Sequence, residues 1–393
     1  MNPLVLRLKG REARRIRAGH PWIFANEVER IEPAGSEAGL CHVLDDSGRA
    51  LGQVYFNMHS LICARLLTTR LDVTIDGDFF QARLAAALEL RRGHFADGEA
   101  YRWVFGEADA LPGLVIDRYP GVVVVQVTTR GMEELQPLWE PAVQALSGSC
   151  LRVLRNDTQL RLRENLSLYV AYPDGPPPQK IDFHEAGAPA VALPCQGQKT
   201  GFFLDHRENR LWVRRLATGA RVLDLFCYTG SWGLSLLHAG AEHATFVDSS
   251  HTALEGAHHA LSRGGFESRS TLVKSDVNRV LDEMTALDER FDIVVVDPPD
   301  LVPTKKALAP GRKKMIQLYA ASLQRVAAGG YAALCSCSFH VGREDFAGLL
   351  AEAVRRSGRH AVVVWQGSTG VDHPRSVALP ESDYLKCSIL RVE

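Results

Sequence analysis

The sequence predicts an α/β chain: a C-terminal parallel sheet layered with helices, preceded by a β-rich N-terminal module and a small central α+β unit. Three observations carry this. From about residue 183 short apolar runs alternate with amphipathic segments, the signature of parallel strands joined by crossover helices. Before that, residues 1–72 hold short β-type runs separated by turn residues. Between the two, Tyr172-Pro173-Asp174-Gly175-Pro176-Pro177-Pro178 continues neither helix nor sheet and marks a break.

The elements follow in order. CHVLDDSGRALGQVYF predicts a hairpin turning at Asp46-Ser47-Gly48, and LICARLL a further strand. The first twenty residues set Arg7, Lys9, Arg11, Arg14, Arg15 and Arg17 against Glu12 alone. As a bare run this is a solvated face; followed by His20-Pro21-Trp22-Ile23-Phe24 it becomes a candidate RNA contact, since cations and aromatics suit phosphates and bases. Residues 73–182 contain the helical stretch DGDFFQARLAAALELRR and the strand VVVVQVTT. In 183–393 the strand-like runs are RVLDLF, ATFVDSS, STLVKSD, FDIVVVDPP, YAALCSC and AVVVWQG. A last run, YLKCSILRV, follows without an intervening helix and is expected to join antiparallel at the sheet edge.

With 393 residues the chain exceeds one ordinary domain. Its 23% charged and 46% hydrophobic residues are those of a water-soluble globular protein. A net charge of −1 excludes a uniformly basic nucleic-acid binder but not a local basic face. No stretch has the length and apolarity of a membrane span or secretion signal. The eight cysteines show no Cys-x-x-Cys and no metal-ligand spacing, so reduced thiols in the cytoplasm, no membrane partner and no metal are expected.

Four acids sit at successive strand ends: Asp224, Asp248, Asp276 and Asp297. One alone is weak, because Asp caps many helices; four at the carboxyl edge of a Rossmann-like sheet mark a ligand crevice. Asp248, 24 residues after Asp224, is placed to accept both ribose hydroxyls. The first turn, Asp224-Leu225-Phe226-Cys227-Tyr228-Thr229-Gly230, lacks the first two glycines of a pyrophosphate loop and carries an acid. An acid repels pyrophosphate and suits the ammonium of S-adenosyl-L-methionine, which is the expected cofactor. Ser249 and Val277, beside Asp248 and Asp276, belong to the same candidate set, as do Asp297 and Pro298.

Asp297-Pro298-Pro299-Asp300 follows the fourth strand, its prolines forcing a turn that holds Asp297. Cys335 and Cys337 end the fifth strand on one face. Cys335 reads as core, Cys337 as a nucleophile at the edge. Cytosine carbon 5 does not attack a methyl sulfonium unaided; a thiolate added at carbon 6 makes it enamine-like, and Asp297 near N3 favours protonation there. Such a site should favour the thiolate. Asp300 is a candidate for the base that removes the carbon 5 proton. The segment 301–314, with Lys305, Lys306, Arg312, Lys313 and Lys314 and no acid, is a candidate phosphate contact.

Together these residues resemble the RlmI family of bacterial large-subunit ribosomal RNA cytosine-C5 methyltransferases, over nearly the whole chain. The resemblance is carried by His20–Phe24, Gly106-Glu107-Ala108-Asp109-Ala110-Leu111-Pro112-Gly113-Leu114, Lys199-Thr200-Gly201-Phe202-Phe203-Leu204-Asp205-His206-Arg207, Phe226–Gly230, Asp297-Pro298-Pro299 and Ser336-Cys337-Ser338. It implies a PUA domain at 1–72, a central α+β domain at 73–182 and a class I methyltransferase domain at 183–393. It implies a homodimer acting on 23S rRNA, as RNA or precursor particle. It also implies that the segment 199–207 lines the cofactor pocket, Phe203, Asp205 and Arg207 among its residues. A branch that makes 7-methylguanine shares Tyr-Thr-Gly and Asp-Pro-Pro but differs at the position of Cys337, which therefore favours cytosine. Guanine methylation at N2 or N7 and a non-catalytic assembly factor are the alternatives. The family often has Lys-Phe where this chain has Asp300-Leu301, and Glu-Glu-x-Gly where it has His184-Glu185-Ala186-Gly187.

Overall fold

The computed structural model describes residues 4–96 and 98–393; the first three residues of the N-terminal module and Asp97 lie outside the described residues. The chain divides into two units. One runs to Pro178 and takes back Val371–Ser382; the other comprises Gln179–Gly370 and Asp383–Glu393. The return of 371–382 was not legible in a reading that gave 183–393 to one domain. Its anchor is Asp372, whose Oδ2 accepts the Arg102 backbone N–H at 3.0 Å and whose carbonyl accepts from Arg91 at 2.8 Å. A fully buried carboxylate needs such donors.

In the first unit Leu4–Leu8, Trp22–Ile23, Val28–Glu32, Ala38–Leu44, Ala50–Asn57 and Ala64–Thr68 form a six-stranded sheet. The expected hairpin is present: Ala38–Leu44 pairs antiparallel with Ala50–Asn57, and Gly48 takes the positive φ that the turn requires. Three of the six N-terminal cations are held in internal ion pairs, and Lys9 donates to the Asn26 carbonyl at 2.7 Å. Arg7 pairs with Glu32 at 3.1 Å, Arg15 with Glu27 at 2.9 Å, and Arg17 with the buried Asp45. A second sheet of five strands follows, from Tyr101–Phe105 to Tyr169–Ala171, packed by the helices Gly77–Arg92 and Gln136–Ser147.

The second unit opens with the hairpin Ile181–Glu185 and Ala188–Ala192. Its main sheet has seven strands: β1 (Arg221–Leu225), β2 (His243–Asp248), β3 (Ser270–Lys274), β4 (Phe291–Val296), β5 (Val326–Ser336), β6 (Ala361–Gly367) and β7 (Lys386–Val392). They lie in the order β3-β2-β1-β4-β5-β7-β6. Strands β1 to β5 pair in parallel, and β7 pairs antiparallel with both β5 and β6. The last strand thus enters antiparallel, but inside the sheet rather than at its edge. Cys387, Ser388, Ile389 and Leu390 are buried on both faces of β7, whereas β6 exposes Val362, Val363 and Val364 and forms the edge.

Helices α1 (Ser231–His238), α2 (His251–Gly264), α3 (Val277–Ala286), α4 (Leu308–Gln324) and α5 (Arg343–Ser357) cover the sheet. Alternate residues feed the two faces: Leu223, Leu225, Val294 and Val296 enter one core, Val222, Ile293 and Val295 the other. Burial on both faces explains why β4 reads as an unbroken apolar run rather than an alternating one.

Candidate active site

The carboxyl ends of β1, β2, β4 and β5 surround a cavity of about 380 Å³, within the usual range for small-ligand sites. Its floor is the turn after β1. Phe226 (φ 60°) and Tyr228 (φ 51°) both adopt the left-handed region that side chains other than glycine rarely enter. Hydrogen bonds hold the turn there. Cys227 N–H donates to the Val247 carbonyl at 3.1 Å, and Tyr228 N–H to Asp248 Oδ2 at 2.9 Å. The Tyr228 hydroxyl donates to the Gly201 carbonyl at 3.1 Å and accepts from Gln198 N–H at 3.0 Å, so the turn also fixes the 198–201 segment. Strained backbone over-determined in this way is typical of ligand sites.

The cavity wall includes Phe203, Asp205, Phe226, Cys227, Tyr228, Asp248, Ser249, Asp297, Pro298 and Cys337, ten of the expected residues. Six others fall outside it. Asp224 is fully buried beneath the turn, where Oδ2 accepts Gly233 N–H at 2.9 Å at the start of α1. Burial pushes its carboxyl up to about 8, so it serves as a helix cap rather than a charged wall. Asp276 is exposed and caps α3 through Asn278 and Arg279 N–H, with Val277 buried behind it. Thr229 and Gly230 face inward, and a Cβ on Gly230 would meet Phe246 at 3.1 Å. Arg207 is buried behind the wall.

Asp297 has two side-chain donors. Trp232 Nε1–H reaches Oδ2 at 3.2 Å, and His206 Nε2 lies 3.2 Å from Oδ1. Asn209 Nδ2 lies 2.9 Å from His206 Nδ1, which holds the ring with Nε2 toward Asp297. Burial alone would raise the Asp297 carboxyl, but the His206 imidazole and the Trp232 N–H bring it below its ordinary value. The group is therefore a carboxylate that accepts. His206, Asp297 and Cys335 also place ligand atoms within 4.8 Å of one another, although Cys335 is a core thiol against Cys387, Sγ to Sγ 3.4 Å.

Cys337 lines the same cavity, half-buried just past the end of β5. Burial pushes its thiol up to about 11; Lys199 opposes this, while Asp297, Asp205 and Asp300 add to it. The expectation of a site that favours the thiolate is thus not met by the wall as it stands. Asp300, the candidate base, accepts Val302 N–H at 2.8 Å and the Ser338 hydroxyl at 2.5 Å. Part of the basic segment beyond it is helical: Lys313 and Lys314 lie on α4, exposed, with Lys305 and Lys306 on the turn before it.

Sequence reasoning passed over Trp232, Ser231, Lys199 and His206 as individual groups, together with Tyr384 and Lys386. Tyr384 donates to Asp205 Oδ2 at 2.6 Å, and the same oxygen lies 2.9 Å from Lys199 Nζ. The ammonium of Lys199 also stands 4.3 Å from the centre of the Phe203 ring. Only Lys199 and His206 gave a signal, by their place in the quoted segment 199–207.

Residues 6–69 match the PUA-like domain family, and residues 109–363 match the S-adenosylmethionine-dependent methyltransferase family. "Ribosomal RNA large subunit methyltransferase I" of Alteromonas mediterranea is 33% identical over 96% of both chains. The protein of that name from Aeromonas hydrophila is 32% identical over 100% of both. A solved Streptococcus mutans chain shares the fold, with TM-score 0.84, 17% identity and coverage of 98% and 99%. Another chain, solved in complex with SAH, has TM-score 0.86 and 18% identity over 98% and 99%.

Proposed function

We propose that this chain, which belongs to the S-adenosylmethionine-dependent methyltransferase family, forms 5-methylcytosine in large-subunit ribosomal RNA through a covalent bond from Cys337 to carbon 6. The ribosomal substrate is supported by the names of relatives that match end to end. The base and the mechanism are supported by one observation: a thiol, Cys337, and a carboxylate, Asp297, line the same cavity as Asp248 and the β1 turn.

The cavity suits the cofactor chemically. Asp248 lies on the wall with one oxygen on Tyr228 N–H and the other on Ser250 N–H, which fixes its carboxylate for a diol, and Phe226 and Pro298 supply apolar surface. The acids of the wall suit a cation. Bound S-adenosylmethionine supplies an electrophilic methyl group. The protein's part is to raise the nucleophilicity of carbon 5. The Cys337 proton passes to N3 as the sulfur bonds carbon 6; the electron pair of the 5,6 double bond becomes a 4,5 double bond, and the 3,4 pair takes the proton at N3. Asp297, held ionised, accepts from the exocyclic amine and from the N3–H so formed. Uracil offers an oxygen where cytosine offers the amine, so an ionised Asp297 also discriminates between the two. After methylation Asp300, the candidate base, takes the carbon 5 proton, the 5,6 double bond re-forms as the sulfur is expelled, and the thiolate recovers its proton from N3.

Three modules at 1–72, 73–182 and 183–393, the last without the returning segment 371–382, with the first contacting RNA, and pairing of two copies belong to the same reading; light scattering tests the pairing. Phe203, Asp205, Phe226, Cys227, Tyr228 and Ser249 are proposed to contact the cofactor directly. Arg207, Asp224, Thr229, Gly230, Asp276 and Val277 support those contacts from behind. The deciding experiment incubates the protein with unmodified rRNA and tritiated cofactor, then identifies the nucleoside by mass. Label in 5-methylcytosine, trapping by RNA containing 5-fluorocytosine, and loss of both in Cys337→Ala are expected. Methylated guanine, or turnover retained by Cys337→Ala, overturns the proposal.

A further inference from the structure

The last strand brings a buried lysine to the proposed nucleophile. Lys386 begins β7 opposite Ser336 of β5, one residue short of Cys337. Its side chain is 2% exposed, and its ammonium donates to two backbone carbonyls, Ser338 at 2.7 Å and Tyr384 at 2.6 Å. Neither carries a charge, and no carboxylate forms an ion pair with it among the described residues. The charged groups around it are Asp383, Asp300 and Arg343. Asp383 is engaged by Arg343 through two bonds of 2.6 Å, and Asp300 by Val302 N–H and the Ser338 hydroxyl. An ionised Cys337, on the strand end that Lys386 faces, would act on the ammonium by charge as well.

A buried cation bonded only to neutral acceptors is expensive, and proteins rarely keep one without an anion to match it. Burial lowers the ammonium to about 8, consistent with a charge that has no full partner in this state. The anion that would complete the pair is the Cys337 thiolate, which the wall otherwise opposes. The two carbonyl bonds add a mechanical role, because the Ser338 carbonyl closes the turn that carries Cys337.

We propose that Lys386 is a positioning residue for Cys337: it pins the turn after the thiol and supplies the fixed positive charge against which the thiolate forms. This rests on the reading of Cys337 as nucleophile, but it is tested without RNA.

The test alkylates the full-length protein with iodoacetamide at pH 6–7, where Lys386 is charged in the unaltered protein, and follows the Cys337 peptide by mass spectrometry. Lys386→Met, which keeps the length of the side chain without the charge, is expected to slow the reaction roughly tenfold. Lys386→Arg restores part of the rate. An unchanged rate in Lys386→Met overturns the proposal. Should Lys386→Met not fold, the unaltered protein decides: its Cys337 rate should rise with pH and flatten near pH 8, where Lys386 gives up its charge, and an unbroken rise through that range overturns the proposal. A slowed Cys337 reaction alongside full methylation by Cys337→Ala would leave this inference standing while the nucleophile role falls; the converse pair of results separates them the other way.

Discussion

Replacing His206 by Phe tests how Asp297 is held. The ring keeps its place beside Trp232, at 5.3 Å between centroids, but Asp297 Oδ1 loses its donor and keeps only Trp232 on Oδ2. A hydrogen bond to a charged group contributes about 1.5–3 kcal/mol. At 3.2 Å the bond is at the long end of the usual range, so the lower figure applies. About 1.5 kcal/mol corresponds to about one pKa unit and a roughly tenfold change in rate. The direction follows from the sign. His206 stabilises the carboxylate; without it the Asp297 carboxyl rises, and the fraction ionised at a given acidic pH falls. The acid limb of kcat/KM should therefore move up by about one pH unit, with the limiting rate about tenfold lower. Tritium transfer to unmodified rRNA across a pH series measures both, with a thermal melt to confirm folding. An acid limb that stays in place at unchanged turnover would refute the argument that Asp297 works as an ionised acceptor held by His206.

Two further predictions concern the support of the first turn. At Gly233 a Cβ would lie 2.2 Å from Phe246 Cε1; Gly233→Ala is expected to cost about 1–3 kcal/mol by overpacking, read as a lower urea midpoint, and an unchanged midpoint would count against the packing. Asp224, raised to about 8 when folded against about 3.9 unfolded, binds its proton more tightly in the native state. Its contribution is fully present below the unfolded value and is lost as pH rises through the folded one, so stability should fall between about pH 4 and pH 8. Asp224→Asn keeps an acceptor for Gly233 N–H and removes the titration; urea unfolding across that window should show a flatter pH dependence in the variant, and equal slopes would exclude Asp224 as the source.

The strand–helix alternation was legible because a sheet buried on both faces leaves apolar runs such as Ile293–Val296 that side-chain chemistry alone reveals. Asp248 was legible by spacing. Asp224 was misread as a wall residue for a definite reason. Spacing shows that an acid ends a strand, but not whether its carboxylate turns outward to a ligand or inward to a helix N-terminus, and here Gly233 N–H takes it. The edge placement of β7 failed because a missing crossover helix specifies direction, whereas position in the sheet depends on burial. Lys386–Val392 is apolar enough to be covered on both sides, and the Val362–Val364 strand is left outside. Trp232 and Lys386 were invisible as site groups, and His206 had no role of its own in its segment, since each acts on Asp297 or Cys337 through contacts between distant parts of the chain.

The charges of the cavity set two demands against each other. Asp205, Asp248, Asp297 and Asp300 on one wall suit a cationic ligand, and three of them raise the very thiol that the reaction needs ionised. At an effective dielectric of about 20, a unit charge at 4 Å is worth about 4 kcal/mol, so a few carboxylates at larger distances suffice to keep Cys337 protonated. Compensation must then come from cations placed close to the sulfur rather than spread over the surface. Lys199 is one, although it is shared with Asp205 and the Phe203 ring. Lys386 has no such competing acid, and its burial shields it from salt. The two lysines therefore predict different salt responses. Raising ionic strength should screen the exposed Lys199 contribution and leave that of Lys386, so salt should change the alkylation rate of Cys337 at neutral pH by the same factor in the unaltered protein and in Lys386→Met. A different factor in the unaltered protein would mean that the buried charge is screened after all, and that the thiolate is served from the surface.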